Sequence, residues 1–400
     1  MSQAHTRRGP TQALGPREFI ALMGMLTATI AFSIDALLPA LPDIAQSLTP
    51  SNPNNAQLTI TAFVLGMGIG TFFVGPLADR FGRRPTLICG AVLYVASCMV
   101  AIFTTEITLL LITRVTMGLG ASAARVVAMA IVRDQTSGRE MARLMSLIMM
   151  VFALVPAIAP SIGAVIVGFT GWRGLFAAFA VFSILTSLWF LIRQPETLVQ
   201  KRPLAFASLA AAFREMVSLS VVRRSIMTQT LIYACLFAAL SSTQQVFADV
   251  YGQVSQFPYW FALIAVLAAS ASFLNSKIVV KLGMQRVIST ALLGQIAISA
   301  VMIAVWLLSP ANSFGIYVIW TTSVFFIVGL TLGNLNALAM EPLGHIAGFA
   351  ASLLQGSATV GSVLIAAPIG LAFDGTPLPV AIGITVCITL AYVTARGIRP

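Results

Sequence analysis

The sequence predicts an all-α membrane protein, with twelve transmembrane helices arranged as two six-helix bundles. Composition, the spacing of apolar stretches and the placement of positive charge each point to it. Of 400 residues, 58% are hydrophobic and 9% are charged. So few charges cannot cover a soluble globule, so the apolar surplus must face lipid. A span takes about 20 apolar residues, so the length allows about twelve with short loops.

Apolar stretches separated by charged or Pro/Gly/Asn-rich breaks place the spans near 18–41, 57–78, 86–106, 108–131, 142–168, 174–194, 225–248, 257–278, 285–308, 314–338, 346–372 and 378–395. The stretch Phe19 to Leu41 is too long for a signal sequence and has no evident small-residue cleavage site, so it is expected to remain as the first span. An even number of spans puts both termini on one side. With that side cytoplasmic, all of the 23 Lys and Arg except Arg114, Arg125 and Arg173 fall on it, while Asp43, Glu106, Asp249 and Asp374 fall outside. Anionic lipid then accounts for the net charge of +11, with no nucleic-acid partner.

The composition also narrows the function. Cys89, Cys98, Cys235 and Cys387 each lie in an apolar stretch and are expected to be reduced packing residues. With His5 and His345 the only histidines, a histidine-based metal site is excluded. Gly66-Met-Gly68-Ile-Gly70 imitates a nucleotide loop, but it sits within a span with no strand before it; close helix packing explains it. No catalytic triad or phosphate-binding loop is present, so neither an enzyme nor an ATP-driven pump is expected, and no metal or other cofactor.

The longest loop, Gln194 to Arg224, is basic and central. It divides the chain into a bundle over 1–194, a linker over 195–224 and a second bundle over 225–400. A faint repeat supports the division: Arg80-Phe81-Gly82 has a counterpart in Lys281-Leu282-Gly283.

Gly75-Pro-Leu-Ala-Asp79-Arg80-Phe-Gly82-Arg83-Arg84 lies between the second and third spans. Its glycines permit a tight turn, and Asp79 can pair with an arginine or a helix N-terminus. The segment resembles the signature of the major facilitator superfamily. That resemblance implies two parallel six-helix halves and a latch between them at the cytoplasmic side; a basic loop that merely sets topology is the plainer reading. Thr113-Arg114-Val-Thr-Met117-Gly118 resembles the family's intramembrane arginine motif, with Met117 where glutamine is usual. Pro156, Pro160 and Gly163-Ala164 are similar to its antiporter motif, which usually ends in Gly-Gly.

Ser33-Ile-Asp35 through Pro39 and Pro42, with Val132-Arg133-Asp134, look like the bicyclomycin-resistance (Bcr/CflA) group of drug:proton antiporters. The resemblance implies export of varied small molecules in exchange for protons, from a bacterial inner membrane, by a monomer. A proton-coupled importer or facilitator of a metabolite is the alternative.

Asp35, Arg114 and Arg125 are the ionisable acidic or basic side chains well inside the expected spans, where charge is costly and functional by default. Counting at 1.5 Å per residue puts Asp35 and Arg114 both roughly 9 Å from the outer surface, so a pair is expected. Burial favours the neutral carboxyl and a guanidinium the charged one, so small movements could load or release a proton. A structural ion pair between the first and fourth spans is the competing reading. Arg125 lies near the cytoplasm, where snorkelling and coupling are both open. Tyr233, Phe237, Gln244, Trp320 and Asn334 are candidates for the cavity wall in the second half, though each suits helix packing as well.

Overall fold

The structure, a computed structural model, describes residues 14–198 and 213–398. Arg7, Arg8 and His5, Lys201 and Arg202 of the linker, and Arg399 lie outside the described residues. Among the described residues eleven helices are long and apolar enough to cross a membrane. One of these, Gly138–Arg193, has 56 residues. Straight, it would reach about 84 Å, far beyond a hydrocarbon core of about 30 Å. It turns back at Gly171 (φ 71°, ψ 179°), a conformation that glycine adopts without steric cost. It therefore supplies two spans, α6 (138–170) and α7 (172–193), and the expected twelve are present.

The first span departs from expectation. The sequence suggested one helix to Leu41, but α1 (Pro16–Asp35) stops at Asp35. A turn and a 3₁₀ stretch (Leu38–Ala40) follow, then the short α2 (Leu41–Leu48). Pro39 is the cause. It brings no N–H for the Asp35 carbonyl four residues back, and its ring clashes with that carbonyl. The remaining spans are α3 (Leu58–Phe81), α4 (Arg83–Phe103), α5 (Ile107–Gln135), α8 (Ser220–Gln245), α9 (Phe257–Leu282), α10 (Met284–Leu308), α11 (Phe314–Met340), α12 (Ala347–Leu371) and α13 (Leu378–Arg396).

Small residues let the first-half helices touch backbone to backbone. A methyl group at Gly66 would overlap the Val115 carbonyl, and one at Gly118 the Phe63 carbonyl, so α3 and α5 pack closely. Gly68, on the other side of α3, faces Val360 and Thr359 of α12. The glycine run that imitates a nucleotide loop thus serves two helix contacts. In the second half, α8 packs on α12 and α13, and α9 on α11. The halves meet where α3 runs along α12 and where the 138–193 hairpin meets α9.

The faint repeat is visible in the backbone. Gly82 (φ 116°, ψ 158°) joins α3 to α4, and Gly283 (φ 79°, ψ 152°) joins α9 to α10. Both turns lie at the basic end of the bundle, with the start of α1 and the end of α13; the opposite end is called the far end below.

Candidate functional site

Arg114 on α5 is fully buried. Its guanidinium donates from Nε to the Thr59 carbonyl (2.9 Å) and from Nη2 to the Ser33 carbonyl (3.0 Å), and it lies 4.4 Å over the Phe63 ring. The planar fork therefore ties α1 and α3 to α5. Nη1 has no partner among the described residues. Ser33 is held in turn. Its hydroxyl donates to the Thr29 carbonyl (2.6 Å), which leaves its oxygen to accept from the buried Tyr94 hydroxyl of α4.

Asp35 is 5% exposed. The expected ion pair with Arg114 is not formed: among the described residues neither side chain has an ionic partner. Arg114 spends its donors on carbonyls instead, one of them two residues from Asp35. The Asp35 carboxyl thus sits at the helix break without a hydrogen bond among the described residues. Gly163 of α6 packs on that break, where a methyl group would overlap the Ala36 carbonyl. Pro156 and Pro160 lie within the same helix, α6. Arg125, half-buried, makes no ion pair among the described residues.

At the basic end, Arg83 bridges Asp79 (2.5 Å) and Asp134 (2.9 Å). Thr197 donates to Asp134 (2.8 Å), and Glu196 accepts from the backbone N–H groups of Arg83 and Arg84 (2.9 Å each). These contacts all lie in the first 198 residues. In the signature, Gly75 approaches the other half, where a methyl group would touch Ser352 of α12. Arg80 is exposed, beside Phe81.

The far end carries a seam that sequence reading did not find. Gln57 donates to Gln245 (2.5 Å) and accepts from Ser242 (3.1 Å). Gln245 donates to Asn54 (3.0 Å), whose amide reaches the carbonyls of Leu371 (3.1 Å) and Phe373 (2.7 Å). Each is a bond between neutral groups, worth about 1 kcal/mol net, so the seam closes the far end without locking it.

The candidate wall residues divide. Tyr233 is half-buried, stacks on Phe237 (5.9 Å, 15°) and accepts from Gln355 (2.8 Å). Gln244 lines a cavity at the far end. Trp320 and Asn334 are helix contacts: the indole donates to Ser299 of α10 (2.9 Å), and Asn334 pairs with Asn275 of α9 (2.9 Å).

The family model described as "Major Facilitator Superfamily" matches residues 23–366. A bicyclomycin resistance protein homolog of Haemophilus influenzae is 29% identical over 395 residues, covering 95% of this chain and 97% of the relative. A chloramphenicol resistance protein of Pseudomonas aeruginosa is 29% identical, covering 84% of this chain and 76% of that protein. A D-xylose–proton symporter crystal structure superposes with a TM-score of 0.76 at 15% identity, over 96% of this chain and 98% of that one, a likeness of fold. The broken first span, the signature turn at Gly82 and the buried arginine of α5 stand within the matched region, and the chain belongs to the Major Facilitator Superfamily, a family of membrane transporters and not of enzymes.

Proposed function

We propose that the protein exports small drug-like molecules in exchange for protons. The observation that carries this reading is Asp35, a buried carboxyl without a partner among the described residues, at a break in the first span. A proton and a cationic or hydrogen-bonding substrate would compete for it. Protonated, it is neutral and the break can close around it; deprotonated, it offers an acceptor to cargo. Competition for one group yields exchange. Arg114 holds Ser33, and so the approach to Asp35, in place. One charge crossing 100 mV supplies about 2.3 kcal/mol, roughly a fifty-fold gradient of cargo.

The resistance proteins among its relatives support a drug-like cargo. The basic end, with both termini, is placed in the cytoplasm of a bacterial inner membrane on the positive-inside rule. Tyr233 and Phe237 give the cargo an aromatic wall, and an apolar wall suits varied ligands. The Asp79–Arg83–Asp134 cluster, with Gly75 against Ser352, acts as the cytoplasmic latch. The protein works as a monomer, in lipid and without a cofactor.

The test is transport of a labelled drug into inverted vesicles under an imposed proton gradient. Accumulation that follows the gradient supports antiport. Equilibration that ignores it would make the protein a facilitator.

A further inference from the structure

Beyond the seam at the far end lies a cavity of about 380 Å³ between the two halves. The first half contributes Gln46 of α2 and Pro50 and Pro53 after it; the second contributes Gln244, Gln245 and Asp249. The size falls within the range of small-molecule sites. Two features make it more than a gap. Gln244 is 3% exposed, lines the cavity, and makes no side-chain hydrogen bond among the described residues. Its amide opens onto the cavity, where a ligand or water can meet it. The second feature is the end of α8, which widens into a π-turn over Val246–Val250, a geometry that is rare and frequent at functional sites. That turn carries Asp249, the one ionisable side chain among the described residues that line the cavity.

We propose that this cavity is a second ligand site, for a small organic cation, separate from the Asp35 region. The Asp249 carboxylate faces the charge. Gln244 and Gln46 supply polar contacts, and the proline rings cover hydrocarbon. The single carboxylate repels an anionic ligand and attracts a cationic one. Such a ligand touches both halves at the spacing they have while the seam is closed. It therefore binds the closed arrangement more tightly than an open one and holds the far end shut. That consequence rests on the transport reading above; binding itself does not.

The experiment measures binding of radiolabelled benzyltrimethylammonium to the purified full chain in lipid nanodiscs, with no proton gradient. Saturable binding is expected. Asp249→Asn and Gln244→Leu should each weaken it roughly fivefold, the scale of one solvent-touched polar contact, and do so equally in an Asp35→Asn background, which removes any occupancy of the Asp35 region. Asp249 is exposed, so its variant tests the site without risk to folding. Absence of saturable binding would overturn the proposal, as would binding that ignores both far-end variants. Binding lost in Asp35→Asn would place the probe in the Asp35 region and overturn it too. In vesicles with the far end outward, the same cation added outside should slow transport by wild type and slow Asp249→Asn several-fold less. A failure of proton coupling would leave the binding result standing.

Discussion

Gly163 of α6 lies against the carbonyl of Ala36, the first residue beyond the Asp35 end of α1. The glycine of the antiporter-like motif thus abuts the break that holds the buried acid. A side chain at 163 could be accommodated only by moving backbone.

Gly163→Ala should therefore destabilise the protein by about 1–3 kcal/mol, the usual cost of overpacking, and impair transport. Gly168, on the same helix, has open space around its Cα and serves as the control. Gly168→Ala should be neutral or slightly stabilising. Thermal unfolding followed by tryptophan fluorescence checks both; equal melting temperatures would remove the contact from the account.

Arg114→Lys keeps the charge but loses the fork. An ammonium cannot hold the Thr59 and Ser33 carbonyls in the same geometry, so transport should fall sharply although charge is conserved. A buried carbonyl left unpaired costs about 1–3 kcal/mol, which should also lower the melting temperature. Full activity in Arg114→Lys would mean that only the charge matters.

The span pattern was legible because bilayer thickness dictates helix length, and no other arrangement satisfies so apolar a chain. The repeat was legible too, since Gly82 and Gly283 answer the same backbone demand. The end of α1 could have been read from Pro39, four residues past Asp35, but continuous hydrophobicity argued for one helix. The partners of Arg114 could not be read. They are main-chain carbonyls, which carry no residue signature, and so the guanidinium was expected to find the carboxylate. The Gln57–Gln245 contact joins positions 188 residues apart through neutral amides, and nothing in the sequence pairs them. Trp320 and Asn334 suit a cavity wall and a helix contact equally in sequence, since both are polar in an apolar span; their bonds to Ser299 and Asn275 are the helix contacts.

Gln57→Leu should loosen the far end. It removes the bonds to Gln245 and Ser242, together about 1–3 kcal/mol, and shifts the balance toward a far-end-open arrangement. In a cysteine-replaced background, Ser241→Cys, 1% exposed in the closed seam, reports on this. An impermeant maleimide should label it several-fold faster when Gln57→Leu is also present. Unchanged labelling would show that the seam is not what closes that end.

Arg83 and Asp134 should show a coupling energy of about 1 kcal/mol in a double-mutant cycle of Arg83→Lys and Asp134→Asn, read from thermal stability. Additive effects would reduce the cluster to a topology signal.

The central claim is that Asp35 carries the proton. The most direct measurement compares wild type with Asp35→Asn in vesicles, first for counterflow of labelled cargo without a gradient, then for accumulation under an imposed proton gradient. The account predicts that the variant still exchanges cargo but no longer accumulates it at any pH. Accumulation by Asp35→Asn equal to that of wild type would contradict it and leave Asp35 as a structural residue of the helix break.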